Sequence, residues 1–326
     1  MLSSRQIIIT DYCDPSLIDG LTTMGFHVDY HPEILPAELD TVIGEYEGIV
    51  VNTKIRMDVN RILKAKKLQF ICRLGSGLDN IDVAYCTSHL IKVISSPEGN
   101  RQAVAEHALG MLLSLLDKLP QGMEEVRTGR WDRESVRGRE LSGLKFGIIG
   151  FGNNGSAMSE VLAGFDLDIY IYDKYKSLNL TDQCFSRLHS STLEELLQQS
   201  DIISFHVPLT PETANWLNDA FVNKCKDGVI LINTSRGGIA DLDSIIRGIQ
   251  NQKIAGACLD VFTNEKPATY TEDDRRMMSQ LSEMPQVVMT PHVAGWTVES
   301  KIKISKTLLG KVQYIISNPT ENQYFY

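Results

Sequence analysis

Short apolar runs alternate along this chain with segments patterned for helices, and the alternation occurs in two series. From the N-terminus the runs are Gln6 to Thr10, Phe26 to Tyr30, Gly48 to Asn52, Leu68 to Arg73 and Lys92 to Ser95, with a helix expected after Asp14-Pro15. Strands separated by crossover helices pair in parallel, so the series predicts an open α/β sheet. After Ser96-Pro97-Glu98-Gly99 a long apolar helical pattern runs from Gln102 to Leu119 and is expected to end at Pro120. A looser, charge-rich stretch from Arg127 to Glu140 leads to the second series. Its strands are expected at Phe146 to Gly150, Ile169 to Tyr172, Ile202 to Val207, Val229 to Asn233, Gly256 to Val261 and Val287 to Thr290. Six such strands complete a doubly wound sheet. A last helix, Val298 to Ile316, has no strand after it and is expected to return to the first domain.

The length of 326 residues exceeds what one growing core holds, which agrees with two domains. A formal net charge of −9 argues against a nucleic-acid or anionic-membrane partner, since both require a concentrated basic surface. The longest apolar stretch, Ala108 to Leu116, is too short to cross a bilayer, and Ile7 to Ile9 is too short for a secretory signal. Cys13, Cys72, Cys86, Cys184, Cys225 and Cys258 include no CxxC pair and read as reduced core thiols of a cytoplasmic protein. His27 and His31 have a helical metal-ligand spacing, but the alternation of Phe26, Val28 and Tyr30 predicts a strand, so no metal is expected.

Gly150-Phe-Gly152-Asn153-Asn154-Gly155 follows a strand and opens a helix, the context that makes a glycine pattern a dinucleotide fingerprint. Gly150 permits the tight turn, Gly152 lets backbone approach a pyrophosphate, and Gly155 permits close helix packing. The helix N-terminus then presents free N–H groups to the anion. Twenty-three residues past Gly150 the next strand ends at Asp173, whose carboxylate suits two ribose hydroxyls and repels a 2′-phosphate. NAD is therefore expected over NADP, a preference that the neighbouring Lys174 weakens. The polar pair Asn153-Asn154 predicts a looser or more solvated helix start.

Three polar segments fall at carboxyl ends of the later strands, the edge where open α/β sheets bind ligands: Asn233 to Gly238, Asp260 to Glu265, and Thr290 to Trp296. Arg236 suits a 2-oxo acid, because a guanidinium presents paired donors to a carboxylate and polarises a carbonyl. His292 titrates near neutrality and can take a hydroxyl proton as hydride leaves C2, or return it in reduction. Glu265 is the candidate carboxylate behind His292, raising its pKa and fixing its tautomer.

On these residues the chain resembles the D-isomer-specific 2-hydroxyacid dehydrogenase family. The matching segments are Gly150 to Gly155, His206 to Thr213, Asn233 to Gly238, Asp260 to Glu265 and Pro291 to Thr297, with Arg73 to Asp82 and Asn100 through Val104 to Gly110. The resemblance implies a flavodoxin-like substrate domain, residues 1–98 and 297–326, with a Rossmann NAD-binding domain, residues 99–296, inserted. It implies a cleft that closes over NAD and a homodimer through the Rossmann domains. It also implies cofactor contacts from Val104, His206, Val207, Pro208, Thr213, Thr234, Ser235, Arg236, Asp260, His292 and Gly295. Substrate contacts are implied for Ser76 and Gly77, through backbone N–H groups, and for Arg73 and Asn100. The related formate dehydrogenases have Gln where Glu265 stands, so Glu265 favours hydroxy-acid chemistry.

Within the family, Arg73, Asp79 to Asp82 and Ser96 to Asn100 are most similar to D-3-phosphoglycerate dehydrogenases, which makes 3-phosphoglycerate the leading substrate. Lys54, Arg56 and a partner subunit's Arg133 are either phosphate ligands or solvated charges. The Arg-Ser pair usual after the third strand reads Asn52-Thr53, which counts against a phosphate site. The sequence ends at Tyr326 without the regulatory domain of longer relatives, so serine feedback is not expected. Two rivals stay open: a hydroxypyruvate/glyoxylate or D-lactate type reductase, and a non-catalytic NAD-sensing protein like the corepressors similar to this family.

Overall fold

The computed structural model describes residues 5–176 and 187–318. The chain divides into two compact units, one holding residues up to Arg101 and from Trp296 onward, the other Gln102–Gly295.

In the first unit the strands are β1 (Arg5–Ile9), β2 (Phe26–Tyr30), β3 (Gly48–Val51), β4 (Phe70–Arg73) and β5 (Lys92–Ile94). They form a sheet ordered β2-β1-β3-β4-β5, every pair parallel. Helices α1 (Pro15–Thr23), α2 (Pro36–Val42), α3 (Val59–Lys64) and α4 (Val83–Ser88) connect them, and α5 (Pro97–Leu116) leads into the second unit. Asp14 caps α1, its side chain accepting from the Ser16 N–H ahead of Pro15. A sheet covered on both faces needs continuous apolar strands, and Ile7, Ile8 and Ile9 are fully buried. Each such side chain contributes about 1.5–3 kcal/mol.

The second unit contains α6 (Leu119–Arg127), β6 (Lys145–Ile149), α7 (Asn153–Leu162), β7 (Asp168–Tyr172), β8 (Leu188–Ser190), α8 (Leu193–Gln199) and β9 (Ile202–Phe205). It continues through α9 (Asp219–Lys224), β10 (Val229–Asn233), α10 (Leu242–Gln250), β11 (Ile254–Leu259), α11 (Glu272–Glu283) and β12 (Val287–Met289). The strand order is β12-β11-β10-β9-β6-β7-β8, again all parallel. Chain order reverses between β6 and β9, so the carboxyl ends of those strands border the crevice where a doubly wound sheet takes a nucleotide. One core, with Leu196, Phe221, Ile245 and Leu281, lies on one face; the other face carries Met111, Leu112, Met158 and Leu162.

The last helix, α12 (Val298–Ser317), belongs to the first unit. Its Ile304, Leu308 and Val312 share a core with Ile7, Ile9, Leu17 and Leu21. Lys311 ties it to the end of β5, its ammonium 2.9 Å from the Ser95 carbonyl and 2.8 Å from Glu98.

Three expectations need correction. The second sheet has seven strands among the described residues, not six, because β8 is a three-residue edge strand, Leu-His-Ser, with one apolar position. Pro120 does not end the long helix: α5 stops at Leu116, Lys118 takes a left-handed φ of 49°, and Pro120 lies in the first turn of α6, where a missing N–H costs nothing. Strand β11 begins at Ile254, ahead of the expected Gly256. Among the cysteines, Cys72, Cys86, Cys225 and Cys258 are buried free thiols and Cys13 is half-buried; Cys184 lies outside the described residues.

Candidate active site

The glycine loop sits at the carboxyl end of β6. Gly150 has φ +88°, a left-handed value that suits glycine, and a side chain there would meet the His206 carbonyl after β9. Gly155 packs so closely that a Cβ would lie 2.0 Å from the Gly150 oxygen, whereas Gly152 faces open space. Helix α7 begins at Asn153 with no side chain capping it, so its first N–H groups are available to an anion.

Asp173 follows β7. Its Oδ2 accepts the Phe151 N–H at 2.7 Å, and its Oδ1 accepts those of Tyr175 at 2.9 Å and Lys176 at 3.0 Å. The carboxylate is thus tied to the glycine loop and still has lone-pair capacity on Oδ2.

Three polar atoms near this edge are buried without a hydrogen-bond partner among the described residues: Asn154 Oδ1 in α7, His206 Nδ1 after β9 and Thr234 Oγ1 after β10. Burial pushes the His206 imidazole down to about 4, so the ring is neutral, and its Nε2 meets Ser204 Oγ at 2.8 Å. Orphaned polar atoms beside a glycine cradle fit a ligand rich in hydroxyls, amides and phosphates. Thr213 is occupied differently, its hydroxyl donating to the Pro208 carbonyl at 2.6 Å and accepting the Thr210 N–H at 2.8 Å. It shapes the loop that carries Val207 and Pro208. Val104 is buried in α5.

The polar trio occupies the ends of β10, β11 and β12. Asn233 builds the turn that carries Arg236, accepting the Ser235 N–H at 3.1 Å and donating to the Arg236 carbonyl at 3.0 Å. The next residue, Gly237, packs against the backbone of Phe262, and a Cβ there would lie 1.9 Å from its carbonyl carbon. That close approach brings the Arg236 turn beside the segment that carries Glu265. His292 Nδ1 lies 2.8 Å from Oε2 and 3.0 Å from Oε1 of Glu265, and Glu265 also accepts the Phe262 N–H at 3.3 Å.

The electrostatics follow. The hydrogen bond that His292 donates to Glu265 raises the His292 pKa above the ordinary imidazole value, against partial burial and the nearby Arg236 guanidinium, which both lower it. For Glu265 burial acts upward but is outweighed by His292, the Phe262 amide and Arg236, which hold the carboxyl below its ordinary range. A half-exposed imidazole–carboxylate pair results, with Nδ1 occupied and Nε2 facing no protein partner among the described residues.

Asp260, fully buried, holds the loop behind this pair. Its Oδ1 accepts Thr290 Oγ1 at 2.6 Å and the Val293 N–H at 2.9 Å; its Oδ2 accepts the Ala294 N–H at 2.9 Å. The His292 N–H donates to the Asp260 carbonyl at 2.8 Å, and His107 Nε2 on α5 meets Thr290 Oγ1 at 3.0 Å. Together these bonds hold His292 at φ +53°, unfavourable for a side-chain-bearing residue.

In the first unit, the substrate candidates gather at the carboxyl ends of β3, β4 and β5. The Arg73 guanidinium donates to Asn52 Oδ1 at 2.6 Å, and Asn80 Nδ2 donates to the carbonyls of Asn52 at 2.6 Å and Ile55 at 2.7 Å. Asn100 Oδ1 is buried with no partner among the described residues. The Ser76 and Gly77 amides donate to no group among the described residues and follow Gly75, itself held by the Arg73 carbonyl and Ser96 Oγ.

Residues 109–294 match the family model described as "D-isomer specific 2-hydroxyacid dehydrogenase, NAD binding domain". The chain belongs to that family. Its second unit is the NAD-binding domain of a D-2-hydroxyacid dehydrogenase fold, and the glycine cradle, Asp173 and the orphaned polar atoms fit that cofactor.

A D-3-phosphoglycerate dehydrogenase of Archaeoglobus fulgidus is 32% identical over 299 residues, 92% of this chain and 55% of its own length. The enzyme of that name from Haemophilus influenzae is 32% identical over 311 residues, 95% of this chain and 74% of its own. The chain thus spans about half the length of the first of these. The solved D-lactate dehydrogenase of Aquifex aeolicus, complexed with NAD and lactic acid, is similar with a TM-score of 0.81 and 27% identity, over 96% of this chain and 95% of its own.

Three features of the site were not expected from the sequence: the loop-holding by Asp260, the contact of His107 with Thr290, and the close approach at Gly237. The pattern Asp260 to Glu265 contained a signal for the first, because an aspartate at a strand end followed by a loop of the next strand suits capping of that loop. Nothing local in the sequence pairs His107 with Thr290, which are 183 positions apart.

Proposed function

We propose that this chain interconverts a D-2-hydroxy acid and its 2-oxo acid, with 3-phosphoglycerate as the first candidate substrate. The observation that carries the reading is the carboxylate-braced imidazole of His292, beside Arg236, at the carboxyl edge of a NAD-binding sheet. Bound at the glycine loop and Asp173, NAD would supply the hydride acceptor for oxidation and, as NADH, the hydride donor for reduction. As the C2–H pair leaves, the hydroxyl O–H bond breaks and His292 Nε2 takes the proton; in reduction it gives the proton back. Glu265 keeps Nδ1 protonated and stabilises the imidazolium, remaining ionised itself. Arg236 offers paired N–H donors to the carboxylate and the adjoining 2-oxygen.

The domain carrying residues 1–98 and 297–326 is assigned the substrate role, with the Ser76 and Gly77 amides on the carboxylate, Arg73 and Asn100 nearby, and residues 99–296 the NAD role. For the phosphate reading, the 32% identity to D-3-phosphoglycerate dehydrogenases over 92% and 95% of the chain is the support. A second reading, a D-lactate or glyoxylate type reductase, has its own observation. The Lys54 ammonium donates to the Pro32 carbonyl, so one of the cations named for a phosphate is engaged by the protein. Relative kcat/KM for phosphohydroxypyruvate against pyruvate and glyoxylate decides between them. The first reading expects the phosphorylated acid to win by at least about 100-fold, the scale that a dedicated polar contact supplies.

A homodimer through the NAD-binding unit is proposed on the surface of α6. Leu119, Met123 and Val126 recur at helical spacing on one side of that helix and are exposed, as is Trp131 beyond it. A cytoplasmic location is proposed on the five described free thiols, four of them buried.

A further inference from the structure

Asp173 favours NAD by refusing a 2′-phosphate, yet two lysines stand within three residues of it. An ammonium free at the ribose would offer that phosphate a partner and undo the choice. The structure removes both. Lys176 Nζ donates to the Phe151 carbonyl at 3.1 Å and stands 5.7 Å from the Phe151 ring centroid. Lys174 Nζ donates to Glu212 Oε2 at 2.7 Å, Tyr175 OH donates to the same oxygen at 2.7 Å, and the Lys174 ammonium lies 5.3 Å from the Tyr175 ring centroid.

Topology gives this cluster its meaning. Strand β6, which ends in the glycine loop, lies between β7 and β9. Lys174 and Tyr175 follow β7 and Glu212 lies in the loop after β9, so their bonds link the two loops that flank the glycine cradle. The Glu212 carboxyl is held below its ordinary value by Lys174 and Tyr175, as an acceptor of two bonds should be.

We propose that Glu212 is a cofactor-specificity residue: it draws Lys174 off the ribose position beside Asp173, so that no ammonium there offsets the refusal of a 2′-phosphate. The chain then selects NAD with two carboxylates, one on each side of the glycine loop. The inference depends on the dinucleotide site alone and not on which hydroxy acid is turned over.

The pair is about half exposed, so its effect is of the size of surface ion pairs and weakens with salt. Fluorescence titration with NADPH and NADH tests it on the full chain. Glu212→Gln is expected to tighten NADPH binding about two- to fivefold at low ionic strength, with NADH nearly unchanged, and the gain should shrink in high salt. In the Glu212→Gln/Lys174→Ala double variant the gain should vanish, which assigns it to that ammonium. An unchanged ratio of NADPH to NADH affinity in Glu212→Gln, or a gain that survives removal of Lys174, overturns the proposal. Loss of NADH binding in the unsubstituted chain would instead remove the cofactor site itself.

Discussion

One carboxylate, that of Glu265, sets both oxygens against a single ring nitrogen of His292, at 2.8 and 3.0 Å, and so leaves Nε2 as the nitrogen without a protein partner among the described residues. With Nδ1 held as a donor, Nε2 is the nitrogen left for the proposed proton exchange.

Glu265→Gln removes the interaction that raises the His292 pKa. Oxidation of the hydroxy acid needs the neutral imidazole, so its rate rises with pH through the His292 pKa; reduction needs the imidazolium and falls through it. In Glu265→Gln both limbs are expected to move to lower pH, measured as kcat/KM against pH in each direction. A profile that stays in place would mean that the pair does not govern protonation.

Thr290 joins Asp260 to His107, and its hydroxyl bond ends on a fully buried carboxylate. Thr290→Val is expected to cost about 1.5–3 kcal/mol, as for a lost bond to a charged group, read by denaturant unfolding. It should also lower kcat more than it raises KM, because the His292 loop loses its support. Thr290→Ser, which keeps the hydroxyl, should recover most of both.

Arg236→Lys keeps the charge but loses the paired donor geometry. A raised KM for the 2-oxo acid together with a lower kcat is expected, with NADH affinity less affected. Steady-state kinetics and NADH titration on the same variant separate these effects.

Gly155→Ala places a methyl carbon 2.0 Å from the Gly150 oxygen. The glycine loop must then shift from α7, and NADH binding should weaken by at least about tenfold, roughly 1.4 kcal/mol. Gly164→Ala, where a Cβ meets nothing within 4 Å, is the control and should bind NADH normally.

Met123→Glu or Val126→Asp places a charge on the exposed apolar side of α6. If that side forms the dimer, sedimentation should show a shift toward monomer, as burying an unpaired charge costs several kcal/mol. A dimer of undiminished strength would move the interface elsewhere.

Much of this fold can be read from the sequence because parallel strands covered on both faces must be apolar throughout, as in Ile7 to Ile9 or Val229 to Ile232. Strand β8 escapes for the same reason reversed: at the sheet edge Leu188-His189-Ser190 needs no apolar run. Helix α6 escapes because its apolar residues face outward and Pro120 reads equally as a stop or a first turn. At the site, Arg236, Glu265 and His292 stand out since each is a reactive group at a strand end. Asp260, Thr290 and His107 act through contacts between distant segments, which only the folded chain brings together.

Proton transfer by His292 is the step on which the proposed NAD-linked oxidation of a D-2-hydroxy acid depends. Its most direct test is steady-state turnover of NADH with phosphohydroxypyruvate, pyruvate and glyoxylate by the unsubstituted chain and by His292→Ala. The unsubstituted chain should reduce at least one of these acids, and His292→Ala should lose about 100- to 10,000-fold in kcat while still binding NADH. NADH binding without turnover on any 2-oxo acid, or full turnover in His292→Ala, would contradict it.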